Sequence, residues 1–533
     1  MSNNPELSQY FSQTIIISFP AVGLVKFLAQ NNRTEEELLE IATGFCVDLN
    51  IMTPTLCKGL LKINGPSLLH IIRSTDMGPS QICGYLVKFD CGEEETETPQ
   101  WKVDVPNVSE NEVMSTVRSD DSVKPLKVLH ISDTHFDPHY VEGVSDDCPL
   151  PLCCRADAGT EGKSVSGKWG GWKCDIPERT LDNLLEHIAA EHKDIDYVIW
   201  TGDIPPHDSW SLSKDEGLSI LNQTVSKILR TFPNIPVYPA LGNHEAVPPN
   251  LFPPSGVDER WSVDWLYREL EKEWSKWLPE NSYSTIRRGA FYTVLNRPGL
   301  RIVSLNTNYC YYGNWWLILN STDPEQELEW LVDILKEAEE KGEKVHIIGH
   351  IPPGHTDCLK TWQTNYYDIV ERFSKTIAGQ FFGHTHNDEF EIFYERKNPE
   401  KAVNVAYLAP SVTTYTYLNP GYRIYYIDGD YEGSSRTVLD HDTWFMDMEE
   451  ANAKGTPTWA KLYSAKEDFN MTSLTPTDWH ELYNRIRYDD DVFEQYDRYF
   501  WSDSPKRSKC NVHCKKEKLC VIRSCSQYGD IQA

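Results

Sequence analysis

"AGQFFGHTHNDEF" occupies residues 378–390. An apolar run ends in glycine and then sets His384 and His386 on either side of one threonine. On an extended chain, residues two apart share a face, so both imidazoles would be offered to the same side. Alternation alone accounts for such a pair, and its company decides whether it does chemistry. Four other short apolar runs end in a similar way. "KVLHIS" (127–132) leads into Asp133 and His135, "DYVIWTG" (196–202) into Asp203, "VYPALGN" (237–243) into Asn243, His244 and Glu245, and "KVHIIGH" (344–350) closes on His350. With "RIVSLN" (301–306), these runs alternate with helical patterns from Lys127 onward. That is the sequence signature of an α/β fold with layered sheets. In open α/β sheets the carboxyl ends of strands form the binding crevice, so groups far apart in sequence can converge there.

A chain of 533 residues has length for a large core and accessory units. Hydrophobic residues make up 40% and aromatic residues 12%, which describes a globular protein. The formal charge of −29 argues against a nucleic-acid partner, since phosphate backbones select basic surfaces. It also repels anionic lipid at neutral pH, and the repulsion falls in acid as the 80 carboxylates approach their pKa values. Fourteen cysteines, with Asn-x-Ser/Thr sites at Asn32, Asn107, Asn222, Asn320 and Asn470, indicate the secretory pathway, in a secreted or lysosomal protein. The apolar stretch "TIIISFPAVGLVKFLAQ" (14–30) has no basic residue before it and is too short to span a bilayer. It reads as a mature or truncated start and gives no transmembrane segment.

Three parts and a connection follow from the patterns. Residues 1–92 are helical: in "TEEELLEIATGFCVDLN" (34–50), Leu38, Ile41, Phe45 and Leu49 form an amphipathic stripe, and Cys46, Cys57, Cys83 and Cys91 lie in this part. Residues 93–126 are rich in charge and short of large apolar groups, and read as a linker. Residues 127–440 hold the β-rich runs. Residues 441–533, with "HDTWFMDMEEANA" and a cluster of Cys510, Cys514, Cys520 and Cys525, read as a helical cap closed by disulfides.

The donors gathered at the five run ends suit two borderline cations. Imidazoles fit zinc or iron, a carboxylate can bridge two ions, and an amide oxygen fills a position without adding charge. The ordered set D-x-H, G-D, G-N-H-E, G-H, G-H-x-H resembles the calcineurin-like metallophosphoesterase family, which implies a layered β-sandwich core flanked by helices. Carried across on those motifs, the resemblance implies Asp133, His135 and His386 on one metal, Asn243, His350 and His384 on the other, and Asp203 bridging both. Two cations about 3.5–4 Å apart acidify a water and clamp the phosphoryl oxygens for in-line displacement. An imidazole is the natural acid for the leaving oxygen below pH 7. His244, placed by the G-N-H motif, and His207, in "GDIPPHDSW", are the two candidates.

Other residues choose among branches of this family. Purple acid phosphatases carry a tyrosine three residues after the bridging aspartate, where this chain has Pro206. "TGDIPPHDSW", "DTHFDPHY", "CCR" (153–155), "PALGNHEAVPPN" and "IIGHIPPG" instead resemble the acid sphingomyelinase branch. Cys46 and Cys57, eleven apart on a helical background, resemble part of a saposin domain, a lipid-binding module that nucleotide-directed relatives lack. Together these imply two zinc ions, sphingomyelin as substrate, peripheral contact with a bilayer, and hydrolysis to ceramide and phosphocholine at acidic pH. The alternatives are a phosphodiesterase of soluble nucleotides and a non-catalytic lipid-transfer protein of the saposin type. One departure stands out. The stretch "SQTIIISFP" lacks the C-x-x-C that would partner Cys83 and Cys91, which leaves these two to pair with each other or stay free. The resemblance further implies pairs Cys46–Cys57, Cys148–Cys153, Cys154–Cys174, Cys310–Cys358 and Cys510–Cys514, with Cys520 and Cys525 as a short loop. "NYCYYGNWWLILN" (308–320) suits either an interface with membrane or choline, or plain core packing.

Overall fold

The computed structural model describes residues 23, 25–28, 33–87, 100–106, 122–160 and 164–524. Twelve strands among them form two six-stranded sheets. The first sheet contains β1 (Leu126–Ile131), β2 (Tyr197–Trp200), β3 (Val237–Pro239), β10 (Gly421–Ile427), β11 (Val438–Met446) and β12 (Trp459–Ser464), in the order β12-β11-β10-β1-β2-β3. The second contains β4 (Tyr292–Arg297), β5 (Leu300–Ser304), β6 (Lys344–Ile348), β7 (Ile377–Phe382), β8 (Glu389–Glu395) and β9 (Asn398–Leu408), in the order β4-β5-β6-β7-β9-β8. The strands β1, β2 and β3 run parallel, as do β5, β6, β7 and β9. Parallel strands buried on both faces read as continuous apolar runs, which is how "YVIW" and "KVHII" appear in the sequence.

The sheets face one another as a sandwich. The Phe381 ring from β7 meets the Tyr425 ring from β10 at 4.9 Å between centroids. The Tyr197 hydroxyl of β2 lies 2.9 Å from His346 Nδ1 of β6, and Tyr292 of β4 donates its hydroxyl to the carbonyl of Pro239 in β3. Helices cover the outer faces. Helix Glu178–Glu191 buries Leu181, Leu184, Leu185 and Ile188 at three- and four-residue spacing, each worth about 1.5–3 kcal/mol of apolar transfer. Helix Glu327–Lys341 does the same with Leu328, Leu331, Val332 and Leu335 in the core beneath β6.

The first sheet does not stop at residue 440. Strands β11 and β12 come from the stretch read as a helical cap, and "HDTWFM" is strand. The consecutive residues His441, Asp442 and Thr443, on both of its faces, are polar and buried, so the usual apolar alternation is missing. The helices expected there follow later, at Pro476–Tyr488, Asp490–Phe500 and Val512–Ile522.

Before the sandwich, helices Glu35–Asp48, Pro54–Ser74 and Pro79–Val87 form the N-terminal part. A capping box at Thr34 and Glu37 starts the first of them. These helices lie against the sandwich: Ile71, Ile72, Ile82 and Tyr85 share a core with Leu251, Trp316, Leu317 and Ile318. For Trp316 to Ile318, core packing is therefore the role, and the core is one between the two parts. Gly59 sits so close to Trp210 that a Cβ would fall 2.4 Å from the Trp210 carbonyl oxygen. In the linker, residues 101–106 lie along helix Lys360–Arg372. There Asn365 Oδ1 accepts the Val103 N–H at 2.8 Å and Arg372 Nε donates to the Pro106 carbonyl at 2.9 Å.

Five disulfides are formed among the described residues: Cys46–Cys57, Cys148–Cys153, Cys154–Cys174, Cys310–Cys358 and Cys510–Cys514. The Cys83 side chain, Cys91 and Cys525, and with it the Cys520–Cys525 loop, lie outside the described residues, as do Asn32 and Asn107. Asn320 and Asn470 are exposed. Asn222 instead sits inside helix Lys214–Thr231 with its Oδ1 buried, and is not presented as a loop amide would be.

Candidate metal centre

All seven expected ligands meet at one edge of the sandwich, where β1, β2, β3, β6 and β7 end. Asp133 and His135 follow β1, Asp203 follows β2, Asn243 follows β3, His350 follows β6, and His384 and His386 follow β7. Five of the seven hold a left-handed backbone: Asp133 has φ 49°, His135 37°, Asp203 56°, His384 71° and His386 65°. Such conformations cost non-glycine residues about 1–3 kcal/mol each and persist where the surroundings enforce them. His384 and His386 are thus not presented by an extended strand. Each turns at its own left-handed corner, and the two imidazoles reach different partners.

One group collects around His135, whose Nε2 lies 3.2 Å from His386 Nε2 and 3.5 Å from Asp203 Oδ2. Asp133 Oδ1 is 3.5 Å from His386 Nε2. The other collects around Asn243 Oδ1, 2.9 Å from both His350 Nε2 and His384 Nδ1. His350 Nε2 is also 3.1 Å from Asp203 Oδ2, so Asp203 touches both groups.

The remaining ring nitrogens explain why lone pairs point inward. His135 Nδ1 lies 2.7 Å from the Pro205 carbonyl, His350 Nδ1 2.6 Å from the Thr201 carbonyl, and His386 Nδ1 2.6 Å from the Tyr415 carbonyl. A carbonyl only accepts, so each of these nitrogens carries the hydrogen and, in the neutral ring, leaves Nε2 as a bare acceptor. His384 is reversed: its Nε2 donates to Asp357 Oδ2 at 3.2 Å and frees Nδ1. Acceptors aimed at acceptors, each imidazole fixed from behind, is how metal-ligating histidines are held. The donor set fits two divalent cations.

Glycines make room for the approach. A Cβ on Gly242 would sit 2.2 Å from the amide nitrogen and Oδ1 of Asp203, so the G-N-H turn can pass the bridging carboxylate only without a side chain. Burial works against charge on His350, yet the carboxylates of Asp203, Asp133 and Glu245 outweigh it and lift its pKa to about 9, so a cation taking Nε2 would displace a proton from it. Burial would raise Asp203, but His350 and His244 hold it well below the usual carboxylate range. Burial and the neighbouring Asp203 charge push Glu245 up to about 8.

The two expected proton donors flank the first group. The His244 ring lies 4.9 Å from that of His135 and 4.7 Å from that of His207, and its Nδ1 is buried with no hydrogen-bond partner. Burial brings its pKa down to about 4. His207 Nδ1 faces Asp175 Oδ1 at 2.8 Å, and the ring stacks on Tyr415 at 4.1 Å. One of its ring nitrogens falls within 4.8 Å of a ring nitrogen of each of His135 and His386, a position that suits a third imidazole ligand as well as an acid. Asp175 and Asp357 were not legible as site residues. The one sequence signal they carry is that each adjoins a half-cystine, Cys174 and Cys358. Arg155, beside the same paired cysteines, spans Asp137 and Asp208 and ties the loops that bear His135 and His207.

Strand ends, convergent donors and paired glycines define a metal-dependent phosphoesterase. Residues 126–388 match the Calcineurin-like phosphoesterase family, and residues 401–530 match the Acid sphingomyelin phosphodiesterase C-terminal region. The chain is 40% identical over 524 residues to Sphingomyelin phosphodiesterase of Bos taurus, covering 97% of this chain and 83% of that one. It is 42% identical over 486 residues to Sphingomyelin phosphodiesterase of Homo sapiens, covering 90% and 76% respectively. The Bos taurus Cyclic GMP-AMP phosphodiesterase SMPDL3A is 33% identical over 410 residues, covering 74% of this chain and 87% of that protein. The chain belongs to the sphingomyelin phosphodiesterase family of calcineurin-like phosphoesterases and is a phosphoric diester hydrolase.

Proposed function

We propose that this chain hydrolyses sphingomyelin to ceramide and phosphocholine in an acidic compartment, at a centre of two zinc ions. The observation that carries the chemistry is the inward aim of four imidazoles whose other nitrogens are spent on protein acceptors. When bound, two such cations supply a water of lowered pKa and charge neutralisation at the phosphoryl oxygens. Asp133, His135 and His386 hold one and Asn243, His350 and His384 the other, with Asp203 between them. His244, half-buried beside this edge with its Nδ1 unspent, delivers a proton to the departing ceramide oxygen. His207 is held by Asp175 so that it stabilises the same side.

The lipid substrate is supported by the relatives that span nearly the whole chain and by the N-terminal helices, which we read as a saposin-like module. Phe45 on helix Glu35–Asp48 and Leu49 at its C-terminal cap are 48% and 68% exposed, and Phe27 is 62% exposed. Phe45 and Leu49 lie one turn apart, and neighbouring exposed apolar side chains offer a surface to lipid. Among the described residues no helix is long and apolar enough to cross a membrane, so contact would be peripheral. Secretion or lysosomal residence is supported by the buried disulfides, with Asn320 and Asn470 as glycan acceptors.

The test is direct. Zinc-loaded protein is assayed at pH 5 on sphingomyelin vesicles, on a soluble phosphocholine ester and on a cyclic dinucleotide. Preference for the vesicles supports the reading; turnover of the dinucleotide alone would replace it, and a metal-replete protein inert on all three would leave only lipid transfer.

A further inference from the structure

A line of buried polar groups leads from the candidate centre into the middle of the sandwich, through side chains that the phosphodiesterase reading does not use. Ser132 Oγ contacts Asp133 Oδ2 at hydrogen-bonding range. Thr201 Oγ1 lies 2.6 Å from Ser132 Oγ, and His130 Nε2 lies 2.9 Å from Thr201 Oγ1. His130 Nδ1 is 3.4 Å from the Tyr425 hydroxyl, which is 3.5 Å from Arg423 Nη1. His130, Ser132, Thr201 and Tyr425 have no exposed surface, and Arg423 is 1% exposed. The register brings them together, since β1 pairs with both β2 and β10 and sets His130 opposite Arg423.

The protons along this line can run only one way. A carboxylate accepts and does not donate, so Ser132 gives its hydrogen to Asp133. The Ser132 oxygen then accepts from Thr201, and the Thr201 oxygen, its hydrogen spent, accepts from His130 Nε2–H. That tautomer leaves His130 Nδ1 as acceptor for the Tyr425 hydroxyl, whose oxygen accepts from the Arg423 guanidinium. Every link points from a buried cation to a buried carboxylate. Arg423 is anchored by Asp388 at Nη2 and by the Leu408 carbonyl, which Nη1 also reaches at 3.0 Å.

A glycine guards the near end. A Cβ on Gly383 would lie 1.9 Å from Ser132 Oγ, 2.6 Å from Asp133 Oδ2 and 3.1 Å from Thr201 Oγ1. The residue before His384 therefore lacks a side chain because the last three atoms of the line fill its place.

We propose that Arg423, Tyr425, His130, Thr201 and Ser132 form a one-way hydrogen-bond relay that positions the Asp133 carboxylate, tying Oδ2 so that Oδ1 faces His386 and the first cation. They are positioning residues, acting through Asp133, and the inference rests on the metal-centre reading above. In a buried network polarised by a charge at each end, every link strengthens the next. Breaking one should loosen the ligand at its tip.

The experiment loads the full chain with two equivalents of zinc and follows their release to a chromophoric chelator. Thr201→Val keeps the side chain's shape and removes the hydroxyl; Thr201→Ser keeps the hydroxyl and removes the methyl. With outer partners of metal ligands worth roughly ten- to a hundredfold in affinity, one of the two equivalents should leave Thr201→Val about tenfold faster than wild type. Thr201→Ser should stay within about twofold of wild type, since its hydroxyl preserves the outer partner. Melting of the zinc-free proteins, measured beside it, separates relay from packing. If Thr201→Val does not fold, His130→Phe, one link further out, should accelerate the same equivalent by roughly threefold. Wild-type release rates in both Thr201→Val and His130→Phe would overturn the relay, as would Thr201→Ser releasing zinc as fast as Thr201→Val. Wild-type protein that holds fewer than two equivalents would instead remove the metal-centre reading, and the relay with it.

Discussion

Asp357 Oδ2 lies 3.2 Å from His384 Nε2, and the next residue, Cys358, is bonded to Cys310. The same arrangement recurs across the site: Asp175 faces His207 Nδ1 at 2.8 Å and follows Cys174, which is bonded to Cys154. In both places a carboxylate that aims an imidazole is held by a cross-link one residue away. Replacing Asp357 with Asn keeps an acceptor and removes the charge. We expect Asp357→Asn to retain the fold and the Cys310–Cys358 bond while weakening one zinc equivalent by roughly tenfold. Equilibrium titration against a competing chelator measures it, and two unchanged affinities would show that the carboxylate is idle.

Asp203 touches both donor groups, at 3.5 Å from His135 Nε2 and 3.1 Å from His350 Nε2. Asp203→Asn should therefore lose metal and nearly all turnover while melting as a folded protein. Elemental analysis with a turnover assay decides it: full activity with two bound metals would contradict the bridging role.

A proton is needed most where the leaving group is poorest. His244→Ala should cut sphingomyelin turnover by about 10²–10⁴-fold and have far less effect on a nitrophenyl ester, whose departure needs little help. Equal losses on both substrates would take His244 out of the acid role.

Acid stability depends on a histidine away from the centre. His346 lies between the Tyr197 hydroxyl at 2.9 Å and the Arg436 carbonyl at 2.7 Å, and burial brings its pKa down to about 4. An unfolded histidine titrates near 6.5, so the folded state favours the neutral ring. Its contribution is complete above about pH 6.5 and is lost as the pH falls toward 4, on the order of 3 kcal/mol over that window. Denaturant unfolding at pH 7.5 and pH 4.5 should show a smaller acid loss for His346→Gln than for wild type. An identical loss would place the acid sensitivity elsewhere.

The exposed apolar face of the first helix supplies a test that leaves the buried joint between the two parts alone. Phe45→Ser with Leu49→Ser should depress hydrolysis of sphingomyelin in vesicles several-fold, in keeping with the loss of two apolar side chains from a lipid contact. Hydrolysis of a soluble phosphocholine ester should be unchanged. Parallel losses on both substrates would argue against lipid contact by this face.

The convergence of the candidate ligands was legible because each follows closely on a short apolar run, and a strand's end is a place that topology brings to a common edge. Their conformation was not legible. A pair two residues apart suggests an extended chain, whereas His384 and His386 each occupy a left-handed corner. The polar partners behind the ligands were hidden for a different reason. Asp175 and Asp357 belong to no periodic pattern, and His130 lies inside the apolar run of β1, where nothing distinguishes it from any other buried residue. Strand β11 escaped notice because His441, Asp442 and Thr443 are buried polar groups, Asp442 bonded to Ser464 and Thr443 to Arg423, and a reading based on apolar alternation passes over them.

Between Asp133 and His386 the chain runs through β2 and β3 of the first sheet and β4 to β7 of the second, and this sets an order of events during synthesis. Asp133 and His135 leave the ribosome about 13–50 s before His386 at ordinary elongation rates. Throughout that interval the nascent chain owns only part of a coordination sphere, too few donors to hold either cation firmly. On that ligand assignment, tight metal capture waits until β7 has been made and has taken its place beside β6, while β8 to β12 and the C-terminal helices are still to follow.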